Sequence, residues 1–156
     1  MAGTAAQACA KFKSWYDLKC SEANGRADKY IVKPWDKWTG CKATAKKNPW
    51  CQISVSECLH YVKVSTSSSA GCKQAQSWYK ARKRLKSRGT KPAKGWQVFY
   101  NFSGGKNPTH TGLIYKTSGS YILVYEGNKK NAVGVRKIKY NSKYILSFGV
   151  PPYKKA

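Results

Sequence analysis

His110-Thr111-Gly112-Leu113-Ile114-Tyr115-Lys116-Thr117-Ser118-Gly119-Ser120-Tyr121-Ile122-Leu123-Val124-Tyr125-Glu126 reads as a β-hairpin. Two runs of β-branched and aromatic residues flank Thr117-Ser118-Gly119, which suits a three-residue loop closing on a left-handed glycine. With that loop Lys116 faces Ser120, and counting outward sets His110 opposite Glu126. Opposed residues share a face with Cβ atoms about 4.5–5.5 Å apart. Gly112, Ile114, Ile122 and Val124 fall on the same face, which is therefore apolar and expected to turn toward a helix. Similar short runs at 96–102, 133–139 and 144–148 extend the pattern to a sheet of about five strands. Helical periodicity is confined to the first half of the chain, so the expected class is α+β, with N-terminal helices packed on an antiparallel sheet.

Working back, the segment 72–85 reads as a helix with a basic end, and the Ser/Thr run 65–69 as a connection. Asn48-Pro49-Trp50-Cys51-Gln52-Ile53-Ser54-Val55-Ser56-Glu57-Cys58 reads as a helix start, with Asn48 as cap and Pro49 at the first helical position. Cys51 then lies in the first turn, where the helix dipole and the charges of Lys42, Lys46 and Lys47 favour a thiolate. The segment 21–47 shows no sustained period and reads as a long irregular connection carrying Trp35 and Trp38. Ala8, Phe12, Trp15, Tyr16 and Leu18 recur at roughly helical spacing, which makes 5–19 an amphipathic helix.

The chain has 156 residues, enough for one domain spanning 1–156 with a core that needs no staples. Lys and Arg number 30 against six acids, a formal charge of +24 that calls for a polyanionic partner. Hydrophobic residues at 41% and aromatics at 13% exclude a disordered chain in spite of that charge. The first ten residues lack the basic and apolar regions of a signal peptide, and no apolar run is long enough to span a membrane. Six cysteines contain no C-x-x-C pair and match no zinc spacing.

A cysteine nucleophile needs a base, and the base needs a partner that orients it. The chain has two histidines, and Glu126 is the only acid after Glu57. His60 lies nine residues beyond Cys51 on the same helix, about 13 Å along its axis, too far to act on the sulfur. His110 is therefore the candidate base and Glu126 its candidate partner, the alternatives being Cys51 as a small buried hydrophobe and Glu126 in an ion pair with a lysine.

Pro49-Trp50-Cys51, Gly95 with Val98-Phe99-Tyr100, His110-Thr111-Gly112-Leu113-Ile114, Glu126-Gly127-Asn128 and Tyr144-Ile145-Leu146 with Tyr153, taken in order, resemble the CHAP branch of the NlpC/P60-like peptidoglycan hydrolases, phage endolysins especially. The resemblance implies a papain-like fold and cleavage of an amide bond in peptidoglycan by an amidase or endopeptidase. It puts the nucleophile on Cys51, the base on His110 and an orienting pair on Glu126 and Asn128. Trp35, Trp38 and Trp50 are candidates for binding the substrate flank, with a core role the alternative. The family's usual Gly-Asp ahead of the histidine strand is Gly95-Trp96 here. Asp28 and Asp36 are too few to hold the calcium of some relatives, so neither metal nor cofactor is expected. The implied partner is the bacterial cell wall with its anionic polymers, reached from the host cytoplasm after release by a monomer without a separate wall-binding domain. A basic nucleic-acid-binding protein, with Lys80 to Arg88 as its phosphate-tracking cluster, is the rival from another class. A Cys-His antibacterial effector or deamidase is a third reading.

Overall fold

The computed structural model describes residues 1–155. Four α-helices among them, α1 (Ala5–Asp17), α2 (Lys33–Thr39), α3 (Cys51–Tyr61) and α4 (Cys72–Ala81), precede six strands. The strands are β1 (Leu85–Ser87), β2 (Gln97–Tyr100), β3 (His110–Ser118), β4 (Tyr121–Lys129), β5 (Ala132–Lys139) and β6 (Ile145–Gly149). All pair antiparallel, in the order β1-β6-β2-β3-β4-β5. The class is α+β.

Helix α3 is the centre of the packing. Every residue from Cys51 to Leu59 is buried, because the helix lies on β3 and β4 and is covered by α1, α2 and the turn before α2. Burying Ile53, Val55 and Leu59 contributes about 1.5–3 kcal/mol each. Gly127 on β4 lets the first turn of α3 approach: a Cβ there would stand 2.7 Å from Ser54 Cβ and 3.0 Å from Trp50 Cε3. Helix α1 begins at a capping box in which the Thr4 hydroxyl accepts from Gln7 N and the Gln7 side chain accepts from Thr4 N. It buries Ala8, Phe12 and Trp15, while Tyr16 and Leu18 stay exposed.

The segment 21–47 is more ordered than its composition suggests. A π-helical turn, Asp28–Val32, runs into α2, which ends on Gly40 in the left-handed conformation, φ 78°. The carboxylates of Asp28 and Asp36 are spent on backbone, accepting from Ala45 N at 2.8 Å and Ala43 N at 3.0 Å. They tie the loop leading to α3. Helix α4 stops at Ala81, four residues short of the end expected at Leu85, and Leu85–Ser87 forms edge strand β1.

The hairpin departs from its expected register. Its turn has two residues, Gly119 and Ser120, and Ser118 pairs with Tyr121. That turn alone would carry His110 and Glu126 to opposite faces, since one residue of slip reverses a strand. A bulge at Tyr115 restores the parity: Ile114 pairs with Val124 and Leu113 with Tyr125. Continuing the count sets Gly112 beside Glu126, with His110 one diagonal step further on the same face. Over its apolar part that face does not meet a helix. Ile114, Ile122 and Val124 pack with Val98, Tyr100, Ile145 and Phe148 in a core supplied by the sheet alone, while Leu113 and Tyr125 face the helices. A face left fully buried without a helix over it means that the sheet curls around it.

Candidate active site

Helix α3 begins two residues later than expected, at Cys51, with Trp50 in the N-cap position and no side-chain cap. Asn48 serves the preceding turn instead, its side chain accepting from Thr44 N. The shift brings the sulfur closer to the unpaired N–H groups of the first turn, and the Gln52 N–H helps to hold it as an anion. A buried network fixes this turn against the sheet. Gln97 Nε2 donates to Gln52 Oε1 at 2.6 Å and to the Thr111 hydroxyl at 2.8 Å, and the Tyr79 hydroxyl donates to Gln97 Oε1 at 2.9 Å.

His110 opens β3 and stacks on Tyr100, ring centroids 5.8 Å apart. The ring is close enough to Cys51 for each to shift the other's ionisation, and its Nε2 lies 3.0 Å from Glu126 Oε1. Gly112 clears the path for this contact, since a Cβ there would stand 2.8 Å from Glu126 Cγ. The second oxygen of Glu126 accepts from Arg136 Nε at 2.7 Å, and that guanidinium lies 4.4 Å over the Phe102 ring. The structure therefore brings together Cys51, His110 and Glu126, and adds Arg136 from β5.

Three ionisations follow from these contacts. The Cys51 thiol is held well below the ordinary thiol range: its hydrogen bond with Cys72 is the largest cause, burial opposes it, and His110 adds to the lowering. Burial works against the His110 imidazolium, but its bonds with Cys51 and Glu126 outweigh that and push it up to about 9. Burial likewise opposes the Glu126 carboxylate, and the bonds from His110 and Arg136 prevail and lower it. These directions favour a thiolate–imidazolium pair braced by a carboxylate–guanidinium pair.

Asn128 is placed differently from the other three. It sits in a bulge between Glu126 and Lys129 with φ 58°, and its side chain makes no hydrogen bond among the described residues. Trp35 and Trp50 belong to the interior, whereas Trp38 is partly exposed. Trp35 is 1% exposed and donates to the Ser56 hydroxyl; Trp50 is fully buried and donates to Glu22 Oε2. Trp38 is half-buried, donating to Glu57 Oε1 and lying flat on His60, in a groove separate from the one at Cys51. Large rings following a polar loop fill the gap between α2 and α3, which sequence alone does not distinguish from a ligand platform.

Two residues of the site were not read from sequence. Arg136 alternates on β5 with Gly134 and Ile138, and Gly134 pairs with Glu126, so correct strand register is the signal that finds it. Cys72, whose sulfur lies 3.8 Å from that of Cys51, is delivered by the path of the 62–71 connection. Cys51 and Cys72 line a cleft of ≈ 330 Å³ with Asn48, Pro49, Pro108 and Thr109. Compared with known proteins, the chain matches no family model, and no curated protein matches it in sequence.

Proposed function

We propose that this protein is a cysteine-dependent hydrolase that cleaves an amide bond of bacterial peptidoglycan. The observation that carries the reading is the cysteine at the tip of α3, its thiol drawn toward the thiolate by its neighbours, beside an imidazole that is bonded in turn to a buried carboxylate. The Cys51 thiolate attacks the amide carbonyl, forming a C–S bond, and the oxyanion is held by N–H groups at the start of α3. His110 gives its proton to the departing amine as the C–N bond breaks, leaving a thioester. The neutral imidazole then takes a proton from water, which attacks the thioester and releases the acid and the thiolate. Glu126 stabilises the imidazolium that exists before the first transfer and is re-formed by the second.

Peptidoglycan as the substrate rests on the ordered motifs shared with CHAP-type hydrolases and on the charge. Lys42, Lys46 and Lys47 are exposed just ahead of the cleft rim at Asn48 and Pro49, and the whole chain carries +24. Such a surface suits a wall rich in anionic polymers, and its contribution weakens as salt rises. Among the described residues no helix is long and apolar enough to cross a membrane.

Turbidity of purified cell walls tests the reading. The parent protein is expected to clear them and release free amino or carboxyl ends, and Cys51→Ala to leave them turbid. Clearing by Cys51→Ala at the parent's rate overturns the proposal. Mass spectrometry of the soluble fragments then identifies the bond cut.

A further inference from the structure

We propose that Cys51 and Cys72 form a modification site: a peroxide oxidises Cys51, and Cys72 converts the product into a disulfide that reversibly closes the cleft. The inference goes beyond the hydrolytic reading, because it needs a reactive thiolate but no particular substrate.

The geometry is that of a reactive thiolate with a second thiol at hand. The two sulfurs lie 3.8 Å apart, at the first residues of α3 and α4, so two helix N-termini converge on them. A disulfide is about 2.05 Å long, so the sulfurs must approach by under about 2 Å. The connection before α4 keeps the pair together: the Ser56 hydroxyl of α3 donates to the Ser67 carbonyl, and the Ser67 and Ser69 hydroxyls accept from Ser69 N and Gly71 N. Both sulfurs border the same cleft, through which a small oxidant arrives. Cys58, on the same helix as Cys51, is buried with its thiol on the Ala8 carbonyl and faces a different part of the core.

The chemistry closes with a peroxide as the sole oxidant. The Cys51 thiolate attacks one peroxide oxygen, an S–O bond forms and the O–O bond breaks. The departing hydroxide takes a proton from the imidazolium and leaves as water, giving Cys51 sulfenic acid. The Cys72 sulfur attacks that sulfur, an S–S bond forms, the S–O bond breaks, and the hydroxyl leaves with the Cys72 proton as a second water. Two thiols have lost two electrons and hydrogen peroxide has gained them. The hydrogen bond to the thiolate, burial and the thiolate's charge all hold the proton on Cys72. Oxidation of Cys51 removes that charge and changes that bond, so Cys72 is released to react only after its partner has been modified.

Hydrogen peroxide at a few equivalents, followed by alkylation of remaining thiols and tryptic mapping without reductant, tests the site. Cleavage at Lys47, Lys63 and Lys73 yields the peptides 48–63 and 64–73. The expected product is 48–63 joined to 64–73, with fragmentation locating the link at Cys51, loss of two free thiols and their return with dithiothreitol. In Cys72→Ser, Cys51 is expected to pass on to the sulfinic acid, which dithiothreitol does not reverse, each variant being compared with its own untreated thiol count. A parent protein that gives sulfinic acid at Cys51 without the crosslink, or a crosslink through Cys58, overturns the proposal. So does Cys72→Ser recovering with dithiothreitol as fully as the parent. The mass readout is independent of wall clearing, so failure of the hydrolytic reading and failure of this one give different results.

Discussion

The two histidines of this protein are both stacked on an aromatic ring near a buried glutamate, and their basicities are shifted in opposite directions. His110 lies on Tyr100 and bonds Glu126; burial opposes its charge, yet its partners push it up to about 9. His60 lies on Trp38 at 4.0 Å, and burial alone lowers it. The glutamates diverge in the same way. Burial raises Glu57, which receives an indole N–H from Trp38, whereas Glu126 receives two cationic donors and stays ionised. Residue types and the burial of the glutamate are shared between the two clusters, while His60 is exposed and His110 is mostly buried. What separates the glutamates is whether a cation bonds the carboxylate directly: Lys11 acts on Glu57 only at a distance, and a dipole does not repay the desolvation of a charge.

The comparison breaks most easily at the histidines. His110→Ala is expected to lower the rate of wall hydrolysis by about 10³-fold, within the range for loss of a general acid–base. His60→Ala is expected to leave it within about twofold. Equal losses in both variants would mean that charge state does not mark the working histidine. The parent's rate should also fall as pH rises through about 9, because there the imidazolium loses the proton it gives to the leaving amine. Proton NMR of the two imidazoles checks this directly, with His60 titrating below the ordinary range and His110 above it.

The next largest effects concern the brace behind His110. Glu126→Gln is expected to cost about 10²-fold and to move the alkaline limb down, because the imidazolium loses its anion. Arg136→Met removes a cation from the same carboxylate, so it is expected to cost about 10-fold and to move that limb up; Arg136→Lys restores part of both. Opposite shifts identify Arg136 as a positioning residue acting through Glu126. Shifts of the same sign would reduce it to a packing contact with Phe102.

Much of the site was legible before the fold was, and the reason is scarcity. With two histidines and one late acid, few combinations could assemble around Cys51. The hairpin strands were legible too, but their register was not. Gly119-Ser120 makes a shorter turn than Thr117-Ser118-Gly119 suggests, and only the bulge at Tyr115 returned His110 and Glu126 to one face. Arg136 was hidden for the same cause, since a diagonal neighbour two strands along depends on every bulge between. The π-helical turn at Asp28–Val32 displaced the period of 28–39, so Trp35 and Trp38 looked like loop residues. Cys72 depended on the course of a serine-rich connection whose ties are tertiary, among them the bond from Ser56 to Ser67.

The smallest effect gives the sharpest test, because it predicts a sign. Glu57 is raised by burial, so its carboxyl favours the folded state fully below about pH 4.5, the ordinary value, and that contribution is lost as pH rises through the folded value. Glu126 is lowered, so its contribution is present above the ordinary value and is lost as pH falls through the folded value. Replacing each by Gln removes the titration. Glu126→Gln should therefore destabilise at pH 7, with part of the deficit disappearing in acid. Glu57→Gln keeps an oxygen for the Trp38 indole and sheds a costly charge, so it should match or exceed the parent at pH 7 by less than about 1 kcal/mol, the advantage closing in acid. Denaturant unfolding at pH 7 and pH 4 measures both differences. A Glu57→Gln variant that loses stability at pH 7 and regains it at pH 4 would place Glu57 among paired charges, and the contrast between the two clusters would then lie in their histidines alone.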